Sequence, residues 1–319
     1  MRSTVPIAVT SRSFSRHPVL REELLERYSK VCFNDDGISL AGQELIDFAR
    51  DRHKLITALE RFDEPVLAAL PELEVISKYG VGTDMLDKEA LIRRGIRLGW
   101  TGGVNKRSVA ELVVAFTIAL LRRVPELDRA IRAGEWRSRV GRCLTGRTVG
   151  IIGCGHIGKD LVTILKAFGC RILAHDIRDF PEFYEAHGVT PVELADLLQQ
   201  SDVVTLHVPL DDRTRNIMDA DRLSQMRRGA ILVNAARGGL VDEQALKRAL
   251  VDGQLAGAGF DVFATEPPED SELLRLPNFL STPHIGGSSE EAILAMGRAA
   301  IDGLDRNAVP SADHPPEYT

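Results

Sequence analysis

One segment of this 319-residue chain constrains its fold more than any other: Thr148-Val-Gly-Ile-Ile-Gly153-Cys-Gly155-His-Ile-Gly158-Lys-Asp. A β-branched run leads straight into Gly-x-Gly-x-x-Gly, and a helical pattern follows as far as Phe168-Gly169. Few backbones accept three glycines at that spacing between a strand and a helix. Gly153 permits a tight turn, Gly155 leaves the main chain bare for a close approach, and Gly158 lets the helix lie against the strand. The start of that helix presents free N–H groups and a positive dipole end, which attract a phosphate. A second strand, 171–174, is followed by Asp176, 23 residues after Gly153. That is close to the roughly 20 expected of a carboxylate that takes ribose hydroxyls in a dinucleotide site. The same carboxylate repels a 2′-phosphate, so the expected cofactor is NAD, with NADH preferred over NADPH; Arg178 nearby weakens that preference slightly.

Around this segment, short β-branched runs alternate with helical patterns, the signature of βαβ units and parallel sheets. Strands are expected at 7–10, 31–33, 55–57, 73–77 and 96–98. A second series of six follows at 149–152, 171–174, 203–206, 231–234, 258–260 and 279–282. The fold class is therefore α/β, with two doubly wound parallel-sheet domains. Two glycine-rich passages, 99–103 and 285–287, flank the second series, each followed by an expected capping box, Ser108–Glu111 and Ser288–Glu291. Reading both as crossovers gives a discontinuous domain of residues 1–99 plus 287–319, a nucleotide-binding domain of residues 100–286, and a hinged cleft between.

Three further passages each follow an expected strand of the second series: Asn234-Ala-Ala-Arg237-Gly-Gly, Asp261-Val-Phe-Ala-Thr-Glu266-Pro-Pro and Thr282-Pro-His284-Ile-Gly-Gly. The carboxyl ends of strands in an open sheet face the ligand crevice, so these passages are expected to converge. Together they supply a guanidinium, a carboxylate and an imidazole, the inventory that interconverts a 2-hydroxy acid and a 2-keto acid. Arg237 would bind the substrate carboxylate and polarise its carbonyl. His284 would act as the general acid/base, and Glu266 would tune and orient it. His207 and Pro209 are expected to line the adenosine side.

The charge balance, 40 Lys plus Arg against 46 Asp plus Glu, gives −6 and argues against nucleic acid as a partner. The most apolar stretch, 109–121, is too short to span a membrane. Four cysteines without a CxxC pair suggest neither a disulfide scaffold nor a metal site. With no apolar leader at the start, a cytoplasmic protein is expected. An arginine cluster, Arg137, Arg139, Arg142 and Arg147, reads either as a solvated face or as a reach toward a partner's site.

These residues resemble the D-isomer-specific 2-hydroxyacid dehydrogenase family, closest to D-3-phosphoglycerate dehydrogenases and hydroxypyruvate or glyoxylate reductases. The resemblance covers nearly the whole chain and is strongest from 148 to 287. It implies a Rossmann nucleotide-binding domain, a smaller flavodoxin-like substrate domain, and a homodimer built through about 100–140. By the same resemblance Arg237, Glu266 and His284 are catalytic and Asp261 meets the nicotinamide carboxamide. His156, Ile157, Ala235 and Gly286 join the glycines as cofactor contacts. Lys78-Tyr79-Gly-Val81-Gly82 resembles the substrate loop, with N–H groups at Val81 and Gly82 receiving a small anionic 2-keto or 2-hydroxy acid. Thr101-Gly-Gly-Val-Asn105 resembles the second substrate loop, with Gly102 where relatives usually carry proline. Two alternatives on the same constellation are an NADH-sensing scaffold like the C-terminal-binding-protein corepressors and a phosphite dehydrogenase.

Overall fold

The computed structural model describes residues 2–310, and the end of the first expected domain, 311–319, lies outside them. The described chain forms two compact units, one of residues up to Asn105 together with those from Ser289, the other Lys106–Ser288. Their junctions lie a few residues after those read from the sequence.

The first unit is built on β1 (Ile7–Val9), β2 (Val31–Phe33), β3 (Lys54–Thr57), β4 (Val75–Lys78) and β5 (Arg97–Gly99). All pairings are parallel, in the order β2-β1-β3-β4-β5, which is the flavodoxin-like winding. Strands covered on both faces need apolar side chains throughout, and Ile7, Ala8, Val9, Leu55, Ile56 and Ile76 are fully buried. One face is covered by helices carrying Leu45, Leu67 and Leu91, the other by helices carrying Leu20, Leu24, Ala300 and Ile301. The chain's last helix, Glu290–Gly303, thus belongs to this unit, and a Cβ at Gly99 would fall 2.2 Å from the Gly303 carbonyl oxygen.

The second unit holds β6 (Thr148–Ile152), β7 (Arg171–His175), β8 (Val189–Pro191), β9 (Val203–Leu206), β10 (Ala230–Asn234), β11 (Leu255–Phe260) and β12 (Phe279–Ser281). Their order is β12-β11-β10-β9-β6-β7-β8, so the winding reverses between β6 and β9. Seven strands replace the expected six. The additional one, β8, is a three-residue edge strand ending in proline, which the alternation rule does not recognise.

Both capping boxes are corrected. Ser289, not Ser288, caps the last helix by accepting from the Ala292 N–H, while Ser108 lies inside the helix Lys106–Leu121 and donates its hydroxyl to the Gly286 carbonyl at 2.6 Å. Among the described residues no helix is long and apolar enough to cross a membrane, and no His/Cys/Asp/Glu group could hold a metal ion.

Candidate active site

The glycine turn lies at the end of β6, beside the point where the winding reverses. Gly153 has φ +96°, and a Cβ there would stand 2.6 Å from the His207 carbonyl oxygen. At Gly158 a Cβ would fall 2.3 Å from the Gly153 carbonyl oxygen, so the helix start is packed directly on the turn. Gly155 differs. Nothing lies within 4 Å of the place its Cβ would take, and it caps the helix His156–Ala167 without any side-chain hydrogen bond. Bare main chain, open space and uncapped helical N–H groups meet there, so the residues present fit a pyrophosphate. His156 is exposed and Ile157 half-buried beside this opening.

Asp176 serves the turn itself. One carboxylate oxygen accepts from the Cys154 N–H at 2.6 Å and the other from the Arg178 N–H at 2.9 Å. A carboxylate offers about four lone pairs, so acceptance of ribose hydroxyls is compatible with both bonds. At the end of β9, His207 Nε2 lies 3.0 Å from the Thr205 hydroxyl, and its Nδ1 is buried without a partner among the described residues. Burial pushes this imidazole down to about 3, so His207 stays neutral and is no proton donor at working pH. Pro209 follows on the surface, its carbonyl accepting from the Thr214 hydroxyl.

The three chemical groups stand on loops after β10, β11 and β12. His284 Nδ1 is 2.9 Å from Glu266 Oε2, and Glu266 Oε1 accepts from the Phe263 N–H at 3.1 Å. His284 has φ +55°, an uncommon conformation for a non-glycine residue, fixed by its N–H bonding back to the Asp261 and Thr282 carbonyls. Its side chain is half exposed, as a group that meets a ligand must be.

Asp261, fully buried, organises this loop. Its Oδ1 accepts from the Thr282 hydroxyl and the Ile285 N–H, and its Oδ2 from the Gly286 N–H, all within 2.7 Å. A Cβ at Gly286 would stand 3.0 Å from Oδ2, so glycine lets this bond close. The structure therefore gives Asp261 a supporting part in holding His284, where the family resemblance implied only a ligand contact.

Arg237 is half-buried on the turn after β10, its Nη1 donating to the Ala236 carbonyl at 2.7 Å. The turn is held by Asn234, a buried residue whose Nδ2 donates to the Arg237 carbonyl and whose Oδ1 accepts from the Ala236 N–H. Ala235 beside it is buried. Next to Arg237, a Cβ at Gly238 would fall 1.8 Å from the Phe263 carbonyl oxygen. The Arg237 turn thus lies directly on the segment whose N–H holds Glu266, and Glu266 holds His284. Asn234 and Gly238 were absent from the expected site residues, although a polar residue ending a buried strand and a glycine directly after the arginine were the available signals.

In the first unit, the expected substrate-loop residues Lys78 and Tyr79 are both buried. Tyr79 is buried in the core, its ring edge-on to Phe14 at 5.6 Å between centroids. Lys78 is buried too, its Nζ donating to the Ala58 carbonyl at 2.6 Å and the Tyr79 carbonyl at 3.1 Å. Val81 and Gly82 are half-buried, and the Val81 carbonyl accepts from the Trp100 indole N–H. Asn105 is buried with Oδ1 lacking a partner among the described residues. The arginine cluster is engaged within the chain: Arg137 pairs with Glu135, Arg142 donates to the Gly229 carbonyl, and Arg147 donates to the Cys143 carbonyl.

Residues 114–286 match the family described as "D-isomer specific 2-hydroxyacid dehydrogenase, NAD binding domain". A D-3-phosphoglycerate dehydrogenase of Methanocaldococcus jannaschii is 38% identical over 291 residues, 90% of this chain but 56% of that protein, so the chain spans little more than half of that relative. A glyoxylate reductase of Korarchaeum cryptofilum is 38% identical over 288 residues, covering 88% of this chain and 87% of that one. A solved glyoxylate reductase from Paecilomyes thermophila superposes with a TM-score of 0.85 at 28% identity, covering 95% and 94%.

Proposed function

Because this chain belongs to the D-isomer specific 2-hydroxyacid dehydrogenase family, we propose that it interconverts a small D-2-hydroxy acid and its 2-oxo acid with NAD. The observation that carries this reading is the continuity from the Arg237 turn through Phe263 and Glu266 to His284. Gly153, Gly155 and Gly158 with the helix start would hold the pyrophosphate, and Asp176 the adenosine ribose. The bound nicotinamide supplies or accepts the hydride.

Arg237 is the group for the substrate carboxylate and the adjacent carbonyl oxygen, because a guanidinium fork matches that oxygen pair and stays charged. With Nδ1–H donated to Glu266, His284 Nε2 is the nitrogen left to give a proton to that oxygen, or to take one in the oxidative direction. The Glu266 carboxylate holds the ring in one orientation and balances the charge of the imidazolium. In the first unit, the N–H groups of Val81 and Gly82 are proposed to donate hydrogen bonds to the substrate carboxylate.

A preference for NADH over NADPH follows from the Asp176 carboxylate, which repels a 2′-phosphate. The exposed Trp136 and Val140, 92% and 94% accessible, support a homodimer formed through 100–140. Cytoplasmic location accords with four cysteines that are all unpaired thiols in the structure.

The test is NADH oxidation by the purified chain against glyoxylate, hydroxypyruvate, pyruvate, phenylpyruvate, 2-oxoglutarate, 3-phosphohydroxypyruvate and phosphonopyruvate. Turnover of at least one acid, faster with NADH than NADPH, is expected. Tight NADH binding without turnover of any would overturn the dehydrogenase reading in favour of a nucleotide-sensing scaffold.

A further inference from the structure

A cavity of about 520 Å³ opens in the first unit at the carboxyl ends of β1 and β3. In the order β2-β1-β3-β4-β5 these two strands are where the winding reverses, the place where open parallel sheets receive ligands. Nothing in the chemistry assigned to Arg237, Glu266 and His284 uses it.

The lining mixes apolar residues, among them Leu40 and Leu59, with hydroxyls, two arginines and one carboxylate. Ser11, Arg12, Ser13 and Arg16 come from the segment after β1, Ser39 from the segment after β2, and Leu59 and Glu60 from the loop after β3. Arg12 and Arg16 are exposed and make no hydrogen bond or ion pair with the described residues. Several other arginines of this unit are matched: Arg21 with Asp35, Arg27 with Asp302, Arg93 and Arg94 with Glu64, and Arg298 with Glu23. Arg16 is also placed. Its guanidinium lies over Gly37, where a Cβ would fall 2.0 Å from Nη2. The turn that carries Gly37 is held by buried Asn34, which donates to the Thr10 and Ile38 carbonyls.

Glu60, also in the lining, forms no ion pair with Arg12 or Arg16. Its Oε2 accepts from the Thr10 hydroxyl, the Thr57 hydroxyl and the Ala58 N–H, so it serves the loop. Lys78 bonds the Ala58 carbonyl of that same loop from the end of β4, the strand that leads into Val81 and Gly82. The cavity wall and the proposed carboxylate loop are therefore tied by one ammonium.

We propose that this cavity is an anion subsite in which Arg12 and Arg16 receive a second anionic group of the substrate, a carboxylate, phosphate or phosphonate. The preferred substrate is then a 2-oxo acid with two anionic ends. This identification of the ligand rests on the dehydrogenase reading; the cavity's affinity for an anion does not.

Two measurements separate them. Steady-state kinetics with NADH compare 3-phosphohydroxypyruvate, phosphonopyruvate and 2-oxoglutarate with hydroxypyruvate and pyruvate, in the parent and in the double variant Arg12→Ala/Arg16→Ala. Isothermal calorimetry without cofactor measures phosphonoacetate and inorganic phosphate on the same two proteins. The expected parent prefers at least one dianionic acid by about tenfold or more in kcat/KM, the double variant loses that ratio through KM, and Arg12→Lys/Arg16→Lys keeps part of it. Loss of phosphonoacetate binding should accompany it. If the parent shows no preference, or the variant keeps it, the subsite is refuted while the dehydrogenase stands. If no oxo acid is turned over, the dehydrogenase reading fails, and calorimetry alone decides the subsite: anion binding lost in the variant upholds it, and absent or unaltered binding refutes it.

Discussion

His284 Nδ1 and Glu266 Oε2 stand 2.9 Å apart although 18 residues separate them, and each is fixed from behind by main-chain hydrogen bonds. The pairing leaves Nε2 as the working nitrogen. Replacing Glu266 by Ala frees the ring to rotate and removes the counter-charge, so kcat should fall about a hundredfold, within the range of positioned acid–base catalysis. Glu266→Gln retains an acceptor for Nδ1–H and should lose less. Affinity for NADH, titrated by fluorescence, should be unchanged in both; a joint loss of NADH binding would show that Glu266 supports the nucleotide fold instead.

Arg237 and Asn234 should separate charge from placement. Arg237→Ala removes an interaction felt by bound substrate and transition state alike, so KM should rise and kcat should fall together. Asn234→Ala keeps the guanidinium but leaves the buried Ala236 N–H and the Arg237 carbonyl without their partner. It should cost about 1–3 kcal/mol in urea unfolding and lower kcat/KM while Arg237 is intact. Equal activity of Asn234→Ala and the parent would mean that the turn holds its shape without Asn234.

Much of this architecture was legible because its signals are local. The glycine turn, the βαβ alternation and the three passages after β10, β11 and β12 are each written in a few contiguous residues. The parts that escaped depend on long-range contact. Strand β8 is too short and proline-terminated to show periodicity, and it exists because Ile172, Leu173 and Ala174 pair with it. Nothing near Asp261 foretells that its carboxylate would hold residues 282–286, since the bonds span more than twenty positions. Tyr79 and Lys78 look like loop residues next to Gly80, yet both are drawn inward, one by Phe14 and the other by the Ala58 carbonyl.

The glycine turn provides a contrast of two substitutions. Gly158→Ala places a methyl 2.3 Å from the Gly153 carbonyl oxygen, an overpacking that cannot be relieved without moving backbone. It should destabilise the protein by about 1–3 kcal/mol and weaken NADH binding as well. Gly155→Ala meets no protein atom within 4 Å and has an ordinary φ of −76°. Its melting temperature should match the parent, yet NADH affinity should fall about tenfold or more, because the methyl enters the space proposed for the pyrophosphate. If Gly155→Ala bound NADH like the parent, the phosphates would lie elsewhere.

The same turn can be probed chemically through Cys154, between Gly153 and Gly155. Burial, reinforced by the Asp176 carboxylate, pushes this thiol up to about 11. At pH 8 only about one molecule in a thousand then carries the reactive thiolate, and the side chain is shielded besides. Cys143 is exposed. Iodoacetamide should label Cys143 in the native protein and reach Cys154 only after denaturation, as read by peptide mass spectrometry, and NADH binding should survive the native labelling. Because the raised value disfavours the thiolate, labelling of Cys154 should grow as pH climbs from 8 toward 10. Rapid labelling of Cys154 at pH 8 would show that the turn opens spontaneously, and the hydrogen bond from the Cys154 N–H to Asp176 would then be too weak to hold a preformed phosphate cradle.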